Sequence, residues 1–374
     1  MNGVWPTAAQ ELMLTACLAA ETEATAAFHR IAADWDSEHI DAGCAQLLPL
    51  LYRRWSARQD RIVLSGKKAY VTIWRQNQER LRRLGELLDG FREQKIACVL
   101  LKGVAMILRY YADPGLRSMR DFDLLVRPDD VQRAARHLHG LGYAAEQRLT
   151  AASIPGRMRT GHAWQFSHPD GQSCDLHWRP VVRCFAPEVT RLFWDGAEPA
   201  ALSSPEFVLS PTDQLFHVCV HALQWDWVPQ IRWIADAVTI LREPIEWERM
   251  LHLANAAWMR VRLKYALDYL RSRFEAPVPA TLLQRLETSA PDWERHEYKL
   301  LLKPCPLGFR DTLAWHRHHF RRIREFDPAW RSTPTWRGLP QYVKEFLNAE
   351  DVPESLRKLW SEAKARFGRE AGSG

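Results

Sequence analysis

Ser118-Met119-Arg120-Asp121-Phe122-Asp123-Leu124-Leu125-Val126 sets two aspartates two residues apart at the head of an apolar run. Alternate side chains of a β-strand share a face, so Asp121 and Asp123 project together while Phe122 points the other way. Two adjacent carboxylates repel each other unless a cation lies between them. Acids left unpaired at the start of a buried strand are costly. Magnesium suits such a pair, because it is hard, prefers oxygen and is commonly shared between carboxylates and substrate phosphates. The stretch reads as the opening of a metal-dependent phosphate-chemistry site.

Upstream, Ala97-Cys98-Val99-Leu100-Leu101 is an apolar run of strand length that ends in Lys102-Gly103. A glycine at such a turn lets backbone amides approach a phosphate closely. Val104 to Tyr111 reads as a short helix and Asp113-Pro114-Gly115 as a turn. Downstream, Pro128-Asp129-Asp130 opens a helix whose Val131, Ala134, Ala135, Leu138 and Leu141 are expected to turn inward. The polar segment from Glu146 to Gly161 reads as a loop or a weak strand. Ala163 to His168 and Gln172 to Trp178 then read as two strands of a hairpin around Pro169-Asp170-Gly171. The second of these carries Asp175, which the hairpin could set beside Asp121 and Asp123, with His177 on the same face.

The flanks are helical in pattern. Residues 8–33 read as one helix, Leu47 to Trp55 as another, and residues 70–94 as a third, with Leu81, Leu84, Leu87, Leu88 and Phe91 at helical spacing. On the far side, Ser210-Pro211-Thr212-Asp213 is a helix start with Ser210 as N-cap. Ile231 to Leu241 and Met250 to Phe274 are further helices; beyond them the helical pattern is broken by prolines, and residues 368–374 read as a frayed tail. The fold expected is α+β: a small mixed-sheet core, residues 96–185, between helical regions 1–95 and 186–374.

Composition narrows the setting. Hydrophobic content is 47% and charged content 26%, ordinary for a globular chain. Seven cysteines form no C-x-x-C pair and no run approaches the ~18 apolar residues of a membrane span. The start, Met1-Asn2-Gly3-Val4-Trp5-Pro6, lacks the basic end of a signal peptide, so a cytoplasmic protein is expected. A net charge of +6 favours anionic ligands such as nucleotides, nucleic acid or phosphorylated substrates.

Lys102-Gly103, the run Arg117 to Val126, and Asp175-Leu176-His177-Trp178 together resemble the polymerase-β-type nucleotidyltransferase superfamily. More narrowly, they resemble its bacterial branch of nucleotidyltransferase family proteins. His217 to Leu241, with His221 and Arg232-Trp233-Ile234-Ala235-Asp236, is similar to the helical segment that follows the core in that branch. The resemblance implies an Mg²⁺- or Mn²⁺-dependent transferase that moves a nucleotidyl group from ATP or another NTP to a small molecule, peptide or protein. Asp121, Asp123 and Asp175 would be both catalytic and metal-binding; Lys102, Gly103, Arg117, Ser118, Arg120 and His177 would line the nucleotide side. His221 and Asp236 would line the cleft from the helical side. Superfamily members carry a Gly-Gly or Gly-Ser turn where this chain has Lys102-Gly103. That departure motivates an alternative, a nucleotide-binding or scaffold protein whose core no longer catalyses.

Two other groups invite chemistry. His217 and His221 have i, i+4 spacing, but position 218 is valine, so the H-E-x-x-H metalloprotease pattern is absent and a packed pair is expected. Trp315 to Arg324 is the densest basic run, read as a solvated helix face with Trp315 and Phe320 inward and, as the alternative, as a surface for RNA or a phosphorylated acceptor.

Overall fold

A computed structural model describes residues 4–36, 40–146, 154–200, 206–223, 230–303 and 309–347, with positions 349, 353, 354 and 358. Seven strands form one mixed sheet: β1 Cys98–Leu101, β2 Asp121–Val126, β3 Ala144–Ala145, β4 Ala163–Ser167, β5 Ser173–His177, β6 Ala197–Pro199 and β7 Glu206–Leu209. Their order across the sheet is β3-β4-β5-β2-β1-β7-β6. The α+β class with helical flanks is what the sequence led us to expect. β2 runs antiparallel to β1 and parallel to β5, so the strand with the paired acids sits in the middle.

The two faces of the sheet differ. Phe122, Leu124, Leu100, Cys174, Leu176 and Phe166 point one way and pack against Leu84, Leu87, Leu88 and Phe91 of the helix Arg61–Glu93 and against Val131, Ala134 and Leu138 of the helix Val131–Gly140. The opposite face begins in the same manner. Val99, Leu101, Leu125 and Leu209 join a larger core with Met13 and Leu14 near the N-terminus and Phe216, Ile234 and Leu267 of the later helices. The N-terminal and C-terminal helices thus share one apolar interior. Along β2 and β5 that second face also carries Asp121, Asp123, Asp175 and, at the end of β5, His177.

Several local expectations are revised. The sheet does not end near residue 185, since β7 pairs in parallel with β1 and β6 adds the edge. These strands, three and four residues long, carry no alternation long enough to announce them. The helix expected over 8–33 is two, Ala8–Leu18 and Glu21–Ala33, because Ala19 and Ala20 are extended; alanine spacing gives no hint of such a break. Met250 to Phe274 is likewise divided at Trp258, which takes a left-handed conformation at φ 56°. The segment 146–161 contains a helix, Ile154–Thr160, held to the helix Thr335–Phe346 by an Arg159–Glu345 ion pair at 2.9 Å. Residues 147–153 and the tail 368–374 lie outside the described residues. Ser210 does cap the helix Pro211–Ala222, its hydroxyl accepting from the Asp213 amide at 3.3 Å. No described helix is long and apolar enough to cross a membrane.

Candidate active site

Parallel pairing of β2 with β5 sets Asp123 directly opposite Asp175 and Leu125 opposite His177. Register partners in neighbouring strands face the same way, so the two carboxylates lie side by side. Ligating atoms of Asp123, Asp175 and His177 all fall within 4.8 Å of one another. Asp123 is 1% exposed, and its Oδ1 accepts from Lys102 Nζ at 2.5 Å and from His177 Nε2 at 3.0 Å. Burial opposes ionisation of Asp123, but Lys102 and His177 outweigh it and hold the carboxyl well below the usual carboxylate range. Asp175 goes the other way: burial, then the charge of Asp123, pushes it up to about 6. Asp121 is raised by the same two causes.

Lys102 reaches Asp123 by an unusual route. Its backbone is left-handed, φ 46°, at the junction of β1 and the helix Lys102–Arg109. Such a conformation in a residue other than glycine costs about 1–3 kcal/mol and persists only where its surroundings enforce it. It turns the chain from strand to helix in one residue. Gly103 follows in the first turn of that helix; a Cβ there would meet Arg117 Nη1 at 2.8 Å and Met119 Cγ at 3.1 Å. The packing role visible for this glycine is therefore to admit the loop 117–119 against the helix, where the sequence suggested approach to a phosphate.

Arg117, expected to neutralise phosphate, is engaged elsewhere. It is 5% exposed, and its Nη2 donates to Asp236 Oδ2 at 2.8 Å while its Nε reaches both carboxylate oxygens. Tyr111 donates to the same Asp236 at 3.0 Å. Asn77 of the long helix donates to the carbonyls of Pro114 and Arg117 at 2.6 and 2.7 Å, pinning the loop that leads into β2. Arg117 and Asp236 thus brace each other as a strut beside the acids, and both line the same cleft. The cation that stands forward is Arg232, whose Nη1 donates to Ser118 Oγ at 2.9 Å and to the Ser118 carbonyl at 3.0 Å. Burial, then the nearby Arg117, lowers its guanidinium to about 10. Arg232 lies in the run Arg232 to Asp236 that carries the resemblance, but nothing in the spacing gives it this role. Arg120 is exposed on the same cleft. Arg80, on the long helix, lies close enough to Asp121 to feel its charge.

A cleft of about 300 Å³ opens beside these groups. Lys102, Arg117, Arg120, Asp121 and Asp123 line it from the sheet side, and His217, His221, Arg232 and, as expected, Asp236 from the helical side. The histidine pair is packed as expected, ring centroids 5.6 Å apart, with His217 Nε2 on the Pro180 carbonyl at 2.9 Å. Burial, followed by Lys102 and His177, holds His217 down at about 3. Neither histidine belongs to a group of three or more potential metal ligands among the described residues.

Asp123 Oδ2 and Asp175 Oδ1 are buried with no hydrogen-bond partner among the described residues. Buried acceptors are normally satisfied. Two bare carboxylate oxygens beside an imidazole form a donor set that fits a divalent cation. Comparison with known proteins bears on the same region. No curated protein and no solved structure matches the chain. A family model described as "Uncharacterised nucleotidyltransferase" matches residues 32–275, which contain every residue of the cleft. The chain belongs to this uncharacterised nucleotidyltransferase family.

Proposed function

We propose that the chain is an NTP-dependent nucleotidyltransferase acting in the cytoplasm on a hydroxyl or phosphate acceptor carried by a small molecule, peptide or protein. The observation that carries this reading is the Asp123–Asp175 pairing, with its buried oxygens unpartnered among the described residues and with Asp123 on the wall of a cleft that cations line. Asp121, Asp123 and Asp175 would hold Mg²⁺ or Mn²⁺, with His177 orienting Asp123. When bound, the metal supplies charge neutralisation for the triphosphate and for the oxygens entering and leaving phosphorus. The chain's own groups do the rest. Lys102, Arg120 and Arg232 bind phosphate oxygens, and the Arg117–Asp236 strut keeps Ser118 and the loop ahead of β2 in place. The acceptor oxygen bonds to the α-phosphorus, the bond to the bridging oxygen breaks, and pyrophosphate leaves with the electron pair. The acceptor's proton passes to Asp175, whose raised pKa suits a proton acceptor near neutrality.

Lys102 favours one competing reading. Its ammonium sits on Asp123 where a metal would compete for the same oxygen, as in a nucleotide-binding protein that has lost catalysis. Incubation with each α-³²P-labelled NTP, Mg²⁺ or Mn²⁺ and cell extract separates the two. Label is expected on an acceptor with the native chain and not with Asp121→Ala/Asp123→Ala. Equal inactivity of both proteins over a wide acceptor panel, with NTP still bound, would establish the non-catalytic reading instead.

A further inference from the structure

The basic run does not end as a simple solvated face. In the helix Phe309–Phe326, His316, His319, Phe320 and Ile323 turn inward, and Arg322 is buried against Glu297. Arg317, Arg321 and Arg324 recur at i, i+4 and i+7 and so share one side. That side, with Arg331 and Thr335 from the following helices, encloses a cavity of about 610 Å³.

The charges in this cavity are not balanced from within. Arg317 and Arg321 make no ion pair with a carboxylate among the described residues. Arg321 lies over the Trp293 ring at 5.3 Å. Arg324 donates only to neutral oxygens, Thr335 Oγ1 at 3.0 Å and the Arg331 carbonyl at 3.3 Å. Arg331 donates to the Glu325 backbone carbonyl. One carboxylate, that of Glu325, lines the cavity against four guanidiniums. Burial holds His318 at about 4, so it adds no charge at neutral pH. Like charges at i, i+4 weaken a helix, and this helix keeps them.

We propose that this cavity is a second anion site, separate from the nucleotidyl-transfer cleft, for a compact ligand carrying two phosphate groups. A phosphate monoester carries about −1.5 to −2 at neutral pH, so two of them match a surplus of three guanidiniums. Guanidinium forks fit phosphate oxygens in bidentate fashion. The volume falls within the range of about 300–1,000 Å³ usual for small-ligand pockets. A nucleic-acid strand would also need ring faces for its bases. Here Phe320 is buried, and Trp293 is covered by Arg321 and Arg322. All four arginines lie beyond residue 275, outside the family match, so the site is not part of what the family model describes. It stands or falls independently of the nucleotidyl-transfer reading.

Inorganic pyrophosphate, titrated calorimetrically into the full chain in EDTA, tests the site. Arg317→Gln/Arg321→Gln changes two exposed side chains, so the fold is expected to survive, which a thermal melt checks. Binding is expected to weaken about tenfold or more in that variant, since hydrogen bonds to charged groups are individually strong. Arg120→Gln, in the transfer cleft that would also take pyrophosphate, should leave this binding step in place and lower only a separate one. In the native chain, pyrophosphate should also shield Arg317 and Arg321 from phenylglyoxal, read by mass spectrometry. Equal binding by native chain and double variant, or loss of this step in Arg120→Gln alone, overturns the proposal. So does binding of a short single-stranded RNA, steeply salt-dependent, with no response to pyrophosphate.

Discussion

Two clusters of buried charge lie in this molecule, and they are built on opposite terms. At the sheet, three carboxylates face Lys102 and His177, and two carboxylate oxygens have no partner among the described residues. In the C-terminal helices, one carboxylate faces three guanidiniums. Glu297, 2% exposed, accepts from Arg322 Nη2 at 2.6 Å and Nε at 3.2 Å, with Arg262 and Arg183 at 3.7 and 3.8 Å. Burial works against its charge, yet Arg322 and Arg262 bring it down to about 2. Arg322 spends its remaining donors on the carbonyls of Ala257 and Trp258. This second cluster ties helices together. Burial of a carboxylate is therefore no mark of a reactive site by itself. The mark is a surplus of acceptors on the wall of a cleft, which only the first cluster has.

Substitutions should separate the two most sharply at the acids. Asp175→Asn keeps the shape of the strand and removes one ligand and proton acceptor. Label transfer is expected to fall about a thousandfold, as when a key electrostatic group is lost from an active site, while the unfolding midpoint holds or rises. An active Asp175→Asn protein would sink the assignment. At the other cluster, Glu297→Gln should leave transfer intact at permissive temperature and lower stability by about 3–5 kcal/mol, because three buried guanidiniums lose their counter-ion. Urea unfolding measures it, and a change under 1 kcal/mol would mean that water or the carbonyls already satisfy those donors. The smallest effect is a pH dependence of the metal-free protein. Asp175 is raised from 3.8 to about 6 on folding, so the native state holds a proton that the unfolded chain releases. This contribution is complete below pH about 4 and is lost as the pH rises through about 6. Histidines held down by desolvation, His217 and His318 among them, raise stability over the same interval. The contribution of Asp175 is therefore read as the difference between native chain and Asp175→Asn in EDTA between pH 4 and 7.5, which should fall as the pH passes about 6. A difference that stays constant over the interval would contradict the raised pKa of Asp175.

The chemistry was more legible in the sequence than its support. Asp121-Phe122-Asp123 and Asp175-Leu176-His177 announced themselves because polar residues at alternate positions of apolar strands are conspicuous, and the Asp170-Gly171 turn fixed the hairpin between β4 and β5. What escaped were pairings over long separations. Arg117 finds Asp236 across 119 residues, and Asn77 finds the Arg117 carbonyl across 40. An arginine read alone near two aspartates looks like a phosphate ligand; its partner adds a structural role that the sequence does not show. Arg232 escaped for the converse reason, since helical spacing says nothing of a side chain that reaches back to Ser118. The short strands β6 and β7 owe their state to β1 beside them, a tertiary cause with no local trace.

The helix Arg61–Glu93 runs 33 residues, about 50 Å at 1.5 Å per residue. Its first turn, Ile62 and Val63, lies in the large core shared by the terminal helices, and its last turns, from Leu84 to Phe91, underlie the sheet. Between them Asn77, fully buried, grips the loop that delivers Asp121. One continuous hydrogen-bonded rod therefore couples cooperativity across the molecule. Fraying at either core loosens the grip at its middle, so the acids are held in register by the same transition that folds the whole, and amide protons on the two halves of that rod have a common slowest route to exchange.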